Sequence, residues 1–144
     1  MQPTKTDIAS RDDLDILLRH FYGDVLTDPI IGFYFTDVIP FSLESHLPRV
    51  IDFWAQLLFK EIRYKGQLFE RHQYIHQQAG LSEHHFARWL HLLTSNIDRH
   101  FEGPNCATMK ARAKRIAHSM ATALAQNAPS NTEITGLQFY TPPA

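Results

Sequence analysis

A chain of 144 residues suits one domain, long enough to bury roughly 70% of the surface its unfolded form exposes. Its 14 Lys and Arg against 15 Asp and Glu leave a net charge of −1, which gives no overall field for attracting nucleic acid or an anionic membrane. The single cysteine, Cys106, excludes an internal disulfide framework and suits a reducing cytoplasm. The N-terminal run MQPTKTDIASRDD lacks the apolar core of a secretory signal, and no uncharged apolar run approaches 18 residues. Nine histidines beside ten phenylalanines, five tyrosines and two tryptophans point to an aromatic pocket with polar groups inside.

The first helical pattern runs through DDLDILLRHFYGDVL, where Leu14, Leu17, Leu18, Phe21, Tyr22, Val25 and Leu26 recur at helical spacing. Ser10 and Asp13 resemble a capping box at its start, and Asp28-Pro29 ends it. IIGFYFTDVIPF is apolar without a clean period, interrupted by Gly32 and Pro40, and reads as short turns with at most one further helical turn. The next pattern carries His46, Leu47, Val50, Ile51, Trp54, Leu57 and Leu58. Ser45 as N-cap would leave Pro48 in the first turn, where its missing N–H is no loss, whereas a start at Ser42 calls for a kink.

A turn at YKG, residues 64–66, precedes LFERHQYIHQQAG, in which Leu68, Phe69, His72, Ile75, His76 and Ala79 share one face and Gly80 supplies the stop. Ser82 opens a helix with Phe86, Trp89, Leu90, Leu93 and Ile97 inward, broken at EGPN. A last helix carries Met109, Ala113, Ile116, Ala117, Met120 and Leu124. The pattern is that of an all-α domain with its helical core at about residues 10–127; the Pro-, Ser-, Thr- and Asn-rich extension 128–144 is expected to be mobile.

Four polar residues occupy core-facing positions: Tyr22, His46, His72 and Trp89. Singly, each fits a buried group bonded to a nearby carbonyl. Together they permit another arrangement, because His46 and His72 come from successive helices joined by a tight turn and can face one another across a gap. Phe35, Phe53, Trp54, Leu57 and Phe86 are the candidate apolar walls. Two imidazoles across an apolar slot suit a flat iron cofactor, one nitrogen binding iron and polar groups on the other face acting on a bound ligand. Zinc on His72 and His76, or on His84 and His85 with His91, is a competing assignment, but no His-Glu-x-x-His run is present.

The ordered series HFYGDVLTDPIIGFYF, SHLPRVIDFWAQLL, YKGQLFERH and HFARWLHLL resembles the third group of the truncated haemoglobin family, over approximately residues 10–125. None of the six glycines is adjacent to another, which agrees with that group. Two positions depart from the pattern: Leu43 stands where relatives often have a tryptophan, and Pro48 follows His46-Leu47. The resemblance implies a shortened globin fold, a 2-on-2 helical sandwich enclosing haem b. It implies His72 as the proximal iron ligand, Phe35 stacked on the haem, and Tyr22, His46 and Trp89 as the distal polar set. Arg49 and Arg71 become candidates for pairing with the haem propionates.

The same resemblance implies binding of O2, NO, CO or peroxide, with slow O2 release because Tyr22 and Trp89 can donate hydrogen bonds to it. The leading expectation is nitric oxide detoxification to nitrate, with peroxidase-like use also open. No flavin or nicotinamide fingerprint occurs, so an external reductase is implied. If His46 instead moves inward as a sixth iron ligand, the protein is a bis-histidyl electron-transfer or sensor protein. Lys110, Arg112, Lys114 and Arg115 read as a solvated face, or else as a surface for an acidic partner such as a reductase.

Overall fold

In the computed structural model, which describes residues 4–61 and 68–126, five α-helices and one π-helical turn occur in order. These are α1 (Arg11–Leu26), the π-turn (Tyr34–Val38), α2 (Leu43–Phe59), α3 (Leu68–Ala79), α4 (Glu83–His100) and α5 (Pro104–Gln126). No strand occurs among the described residues. The turn expected at residues 64–66 and the extension 128–144 lie outside them, as do the side chains of Leu68 and Phe69. Two helix pairs, α1 with α2 and α4 with α5, lie against each other through α1–α4 and α2–α5 contacts, and α3 packs on the π-turn and on α5.

The apolar stripes read from the sequence face inward. Leu14, Leu17, Leu18, Phe21, Tyr22 and Val25 of α1 are buried, as are Phe86, Leu93 and Ile97 of α4 and Met109, Ala113, Ile116, Ala117, Met120 and Leu124 of α5. Each fully buried leucine in this set contributes about 2 kcal/mol of transfer free energy. The stripe of α3 is only partly inside: Ile75 is buried and His72 half-buried, while Ala79 is exposed.

Helix ends obey local chemistry, with one departure from expectation at α1 and one of the two expected starts taken by α2. Ser10 accepts from the backbone N–H of Asp13 at 3.2 Å, but the Asp13 carboxylate accepts from Ala9 N–H rather than from Ser10, so the capping is displaced by one residue. The start of α2 is at Ser42, whose carbonyl accepts from His46 N–H at 2.9 Å. Pro48 therefore sits inside the helix, where it removes the bond to the Glu44 carbonyl. Both Pro48 and Glu44 are exposed, so water can satisfy that carbonyl. At the end of α3, Gly80 adopts φ +74° and donates to the His76 carbonyl at 2.8 Å, the left-handed stop that glycine permits.

Residues 4–9, to which the helical pattern gives no role, are tied to the start of α5 through Asp7 and Ile8. Ile8 is fully buried. The Asp7 carboxylate accepts from the backbone N–H groups of Asn105 at 2.9 Å and Cys106 at 3.1 Å, filling the α5 N-terminus. Burial alone would raise the Asp7 carboxyl, but hydrogen bonds from Asn105, Cys106 and Ile8 outweigh it and hold it below its ordinary range. Gly103 has φ +151°, and a Cβ there would stand 2.4 Å from the Asp7 carboxyl carbon.

Asp28, just past α1, is a buried carboxylate. It accepts from Arg88 Nε and Nη2 at 2.9 and 2.6 Å and from the backbone N–H groups of Ile30 and Ile31, each at 3.0 Å. These bonds fasten the α1 exit to α4 and orient the chain entering the π-turn. The Asp28→Ala protein is expected to be less stable by about 2–3 kcal/mol, because four donors lose a charged acceptor while Arg88 keeps some access to water; urea unfolding at pH 7 reads the loss directly.

Candidate functional site

A cleft of about 640 Å³, counting the part open to solvent, lies where α1, the π-turn, α2, α3 and α4 converge. α1 contributes Tyr22, the π-turn Tyr34 and Phe35, α2 His46, α3 His72 and Ile75, and α4 His85, Phe86 and Trp89; Ile31, Ile39 and Leu81 complete the lining. Of the residues singled out from sequence, Tyr22, Phe35, His46, His72, Phe86 and Trp89 thus meet in one place.

Tyr22 Oη and His46 Nε2 lie 2.8 Å apart in the interior. Tyr22 is 4% exposed and His46 5%. Phe41 lies against both rings, at centroid separations of 5.9 Å from Tyr22 and 5.1 Å from His46. Burial, together with the positive charges of Arg49, His72 and Arg71, pushes the His46 imidazole down to about 4. Burial pushes the Tyr22 phenol well above its usual value. Both groups are therefore neutral near pH 7, and the bond can run either way. With Nδ1 protonated, Tyr22 O–H donates to His46; with Nε2 protonated, the imidazole donates and the phenol proton is left for another acceptor.

His72 is half-buried and its ring centroid lies 6.3 Å from that of Phe86. Trp89 is half-buried, edge-on to Phe21 at 6.4 Å, and its indole N–H has no hydrogen-bond partner among the described residues. Phe53 and Leu57 do not line the cleft. They share a helix face with His46 but lie seven and eleven positions further on, roughly 10 and 16 Å along the axis. Phe53 is buried edge-on to Trp54, and Leu57 is half-buried against the core. Arg49 and Arg71 are exposed and flank a second recess beside His46.

The arrangement has a relative among solved structures. The chain is similar to the crystal structure of a group III truncated hemoglobin from Campylobacter jejuni, with a TM-score of 0.74 and 23% sequence identity, over 84% of this chain and 95% of that one. The fold is that of a truncated globin. No protein-family model and no curated protein matches the sequence.

Within this truncated-globin fold, two polar lining residues, Tyr34 and His85, were not placed in the site by sequence reasoning. Tyr34 O–H donates to the Gly80 carbonyl and also lies 3.2 Å from His85 Nδ1; burial raises its phenol to about 12. The same His85 nitrogen accepts from Ser82 N–H at 3.1 Å, and His76 Nδ1 accepts from Leu81 N–H at 2.9 Å. The α3–α4 turn is thus held by two imidazoles and a phenol. A signal for Tyr34 was present: a polar-tipped aromatic inside an apolar run needs a partner.

The other histidines lie elsewhere. His20 and His100 stack at 4.2 Å between α1 and α4, and His84 and His91 are exposed. Among the described residues no group of three or more His, Cys, Asp or Glu side chains is placed to hold a metal ion.

The depressed His46 value makes stability depend on pH. Because the unfolded chain takes up the proton near pH 6.5 and the folded one only near 4, this contribution is complete above pH 6.5 and is lost as pH falls toward 4. Between pH 7.5 and 5 the loss from this one group is about 2 kcal/mol. Urea midpoints measured at both pH values should converge in His46→Gln relative to wild type; an equal drop in both proteins would remove His46 as the source.

Proposed function

We propose that the cleft holds haem b, with His72 as proximal iron ligand and Tyr22, His46 and Trp89 acting on a ligand bound at the distal side. The carrying observation is the convergence of His72 with the Tyr22–His46 pair in one aromatic cleft on a truncated-globin fold. The donor set fits the group. An imidazole suits haem iron, Phe35 and Phe86 offer flat apolar surface, and the Arg49 and Arg71 guanidiniums suit carboxylates at the mouth.

Bound there, haem supplies reversible binding of O2, NO, CO or peroxide and one-electron redox chemistry. The chain's own residues decide how tightly a polar ligand is held. Tyr22 can donate its hydroxyl proton to a polarised ligand when His46 donates to the phenol oxygen, and Trp89 N–H is a second donor. Donors of this kind favour polar O2 over CO and slow its release. Retention in place of release supports chemistry on the ligand, and conversion of O2 and NO to nitrate is the reading we favour; peroxide turnover would use the same donors. The chain carries no flavin or nicotinamide fingerprint, which supports an external reductase.

The engagement of His46 Nε2 with Tyr22 at 2.8 Å favours a ligand-stabilising histidine over a sixth iron ligand, and hence ligand chemistry over the bis-histidyl electron-transfer reading. We place the protein in the cytoplasm as one globin domain. The single cysteine, buried with its thiol raised to about 11, supports a reducing compartment. Among the described residues no helix is long and apolar enough to cross a membrane.

Reconstitution with haem tests the reading. Wild type should take up one equivalent and show an intense Soret band, and His72→Ala should lose it or show a changed spectrum; failure of wild type to bind haem would sink the proposal. Tyr22→Phe should release O2 roughly tenfold faster in a stopped-flow displacement by CO, the equivalent of one lost hydrogen bond of about 1.4 kcal/mol. An unchanged rate would remove Tyr22 from the distal role.

A further inference from the structure

Tyr34 and His85 line the cleft outside the set assigned to iron and its ligand. Tyr34 is 3% exposed, and its phenol oxygen lies between the Gly80 carbonyl, to which it donates, and His85 Nδ1 at 3.2 Å. That nitrogen also accepts from Ser82 N–H at 3.1 Å, so in the neutral ring the proton is on Nε2 and Nδ1 carries the lone pair. Of the two acceptors beside the phenol, only the imidazole is basic. Ser82 Oγ stands 3.1 Å from the same nitrogen and can accept from it once it is protonated. The Tyr34 ring also lies 4.1 Å from that of Phe33, centroid to centroid, and Phe33 is 37% exposed. A phenol in the cleft is thus joined to a base and, through one ring contact, to solvent.

A phenol gives up an electron readily only when its proton can leave to a positioned base. We propose that Tyr34 is a one-electron oxidation site in peroxide turnover, with His85 Nδ1 as its proton acceptor and a small phenolic reductant in solution as the donor that restores it across Phe33. The proposal rests on the haem reading, since haem supplies the oxidising site. Hydrogen peroxide is the oxidant and takes two electrons and two protons to become two waters. For each electron, the Tyr34 O–H bond breaks, the electron passes to the oxidised haem site and the proton passes to His85. A reductant then gives Tyr34 an electron, His85 returns the proton, and the reductant's own phenolic proton goes to water formation. Two reductant molecules, each oxidised by one electron, balance one peroxide reduced. The Tyr22–His46 pair is the poorer candidate: burial leaves His46 a weak base, and the rings against Tyr22 are buried or half-buried. Tyr74 is exposed and lies off the cleft.

The test is electron paramagnetic resonance of the haem-loaded ferric protein, frozen within milliseconds of mixing with equimolar hydrogen peroxide, with haem uptake read separately from the Soret band. A radical signal that is narrowed by ring-deuterated tyrosine, lost in Tyr34→Phe and retained in Tyr74→Phe is expected. In His85→Gln its yield should fall roughly tenfold or more, the effect of removing a positioned base. Added phenol should quench the wild-type signal, and do so more slowly in Phe33→Ala. A tyrosyl signal of unchanged yield in Tyr34→Phe or in His85→Gln would overturn the proposal, as would an unchanged rate of quenching in Phe33→Ala. Where Tyr34→Phe fails to load haem, the His85→Gln comparison decides. If wild type loads haem yet gives no tyrosyl signal, the proposal fails and the haem reading stands; if it loads none, both fail.

Discussion

The hydrogen bond between Tyr22 and His46 is the constraint around which the rest of the interior is arranged. A buried imidazole must be neutral or paired with an anion, and among the described residues no carboxylate lines the cleft to pair with this one. Neutrality is enforced by burial and by the arginines on the solvent side, and a neutral ring still needs partners for its two nitrogens. The phenol of Tyr22 meets one of them. Because the two residues come from α1 and α2, that bond also fixes how the two helices face each other at the end of the cleft. Either tautomer keeps the bond, so the pair can reverse its polarity without moving a heavy atom.

The remainder of the cleft hangs on a different device. α3 is the shortest of the five helices and is gathered in from its C-terminal end, where Tyr34, His76 and His85 hold the turn into α4. His72 lies two turns before this fastening. Asp28 with Arg88 anchors the chain that leads into the π-turn, so Phe35 and Tyr34 take their places from an ion pair that makes no contact with the cleft. The two halves of the site are therefore positioned by separate polar fastenings, one between α1 and α2 and one between the π-turn and α4.

Legibility in the sequence depends on which interactions are local. Stripes at helical spacing in α1, α4 and α5 report burial directly, and Ser10, Gly80 and Ser82 act within a few residues of themselves, so these elements were legible. The start of α2 was not, because the cost of Pro48 depends on whether the Glu44 carbonyl can reach water, a property of the surface. The π-turn lies in a run that is apolar throughout and shows no period. Asp28 and Arg88 are 60 positions apart, and Tyr34 and Gly80 are 46 apart; no periodicity encodes such pairs. For Phe53 and Leu57 the helical angle is right, but position along the axis decides what a long helix reaches, and periodicity carries no such information. The cleft residues Tyr22, Phe35, His46, His72, Phe86 and Trp89 were legible through their polar or aromatic character on inward faces and through the family resemblance.

The Asp7 clasp carries a consequence for the order in which the chain acquires its structure. Its partners Asn105 and Cys106 are 98 and 99 positions away, so the bonds close a loop that spans most of the described residues. During synthesis, the segment around Ile8 emerges well before α5 and has nowhere to dock until the start of α5 has appeared. α1 and α2 can pair long before that, whereas the burial of Ile8 and the filling of the α5 N-terminus must wait. Closure of so large a loop is slow relative to helix pairing because its entropy is lost before any contact compensates. The segment around Ile8 is thus among the last of the described residues to settle, although it precedes every helix in the chain.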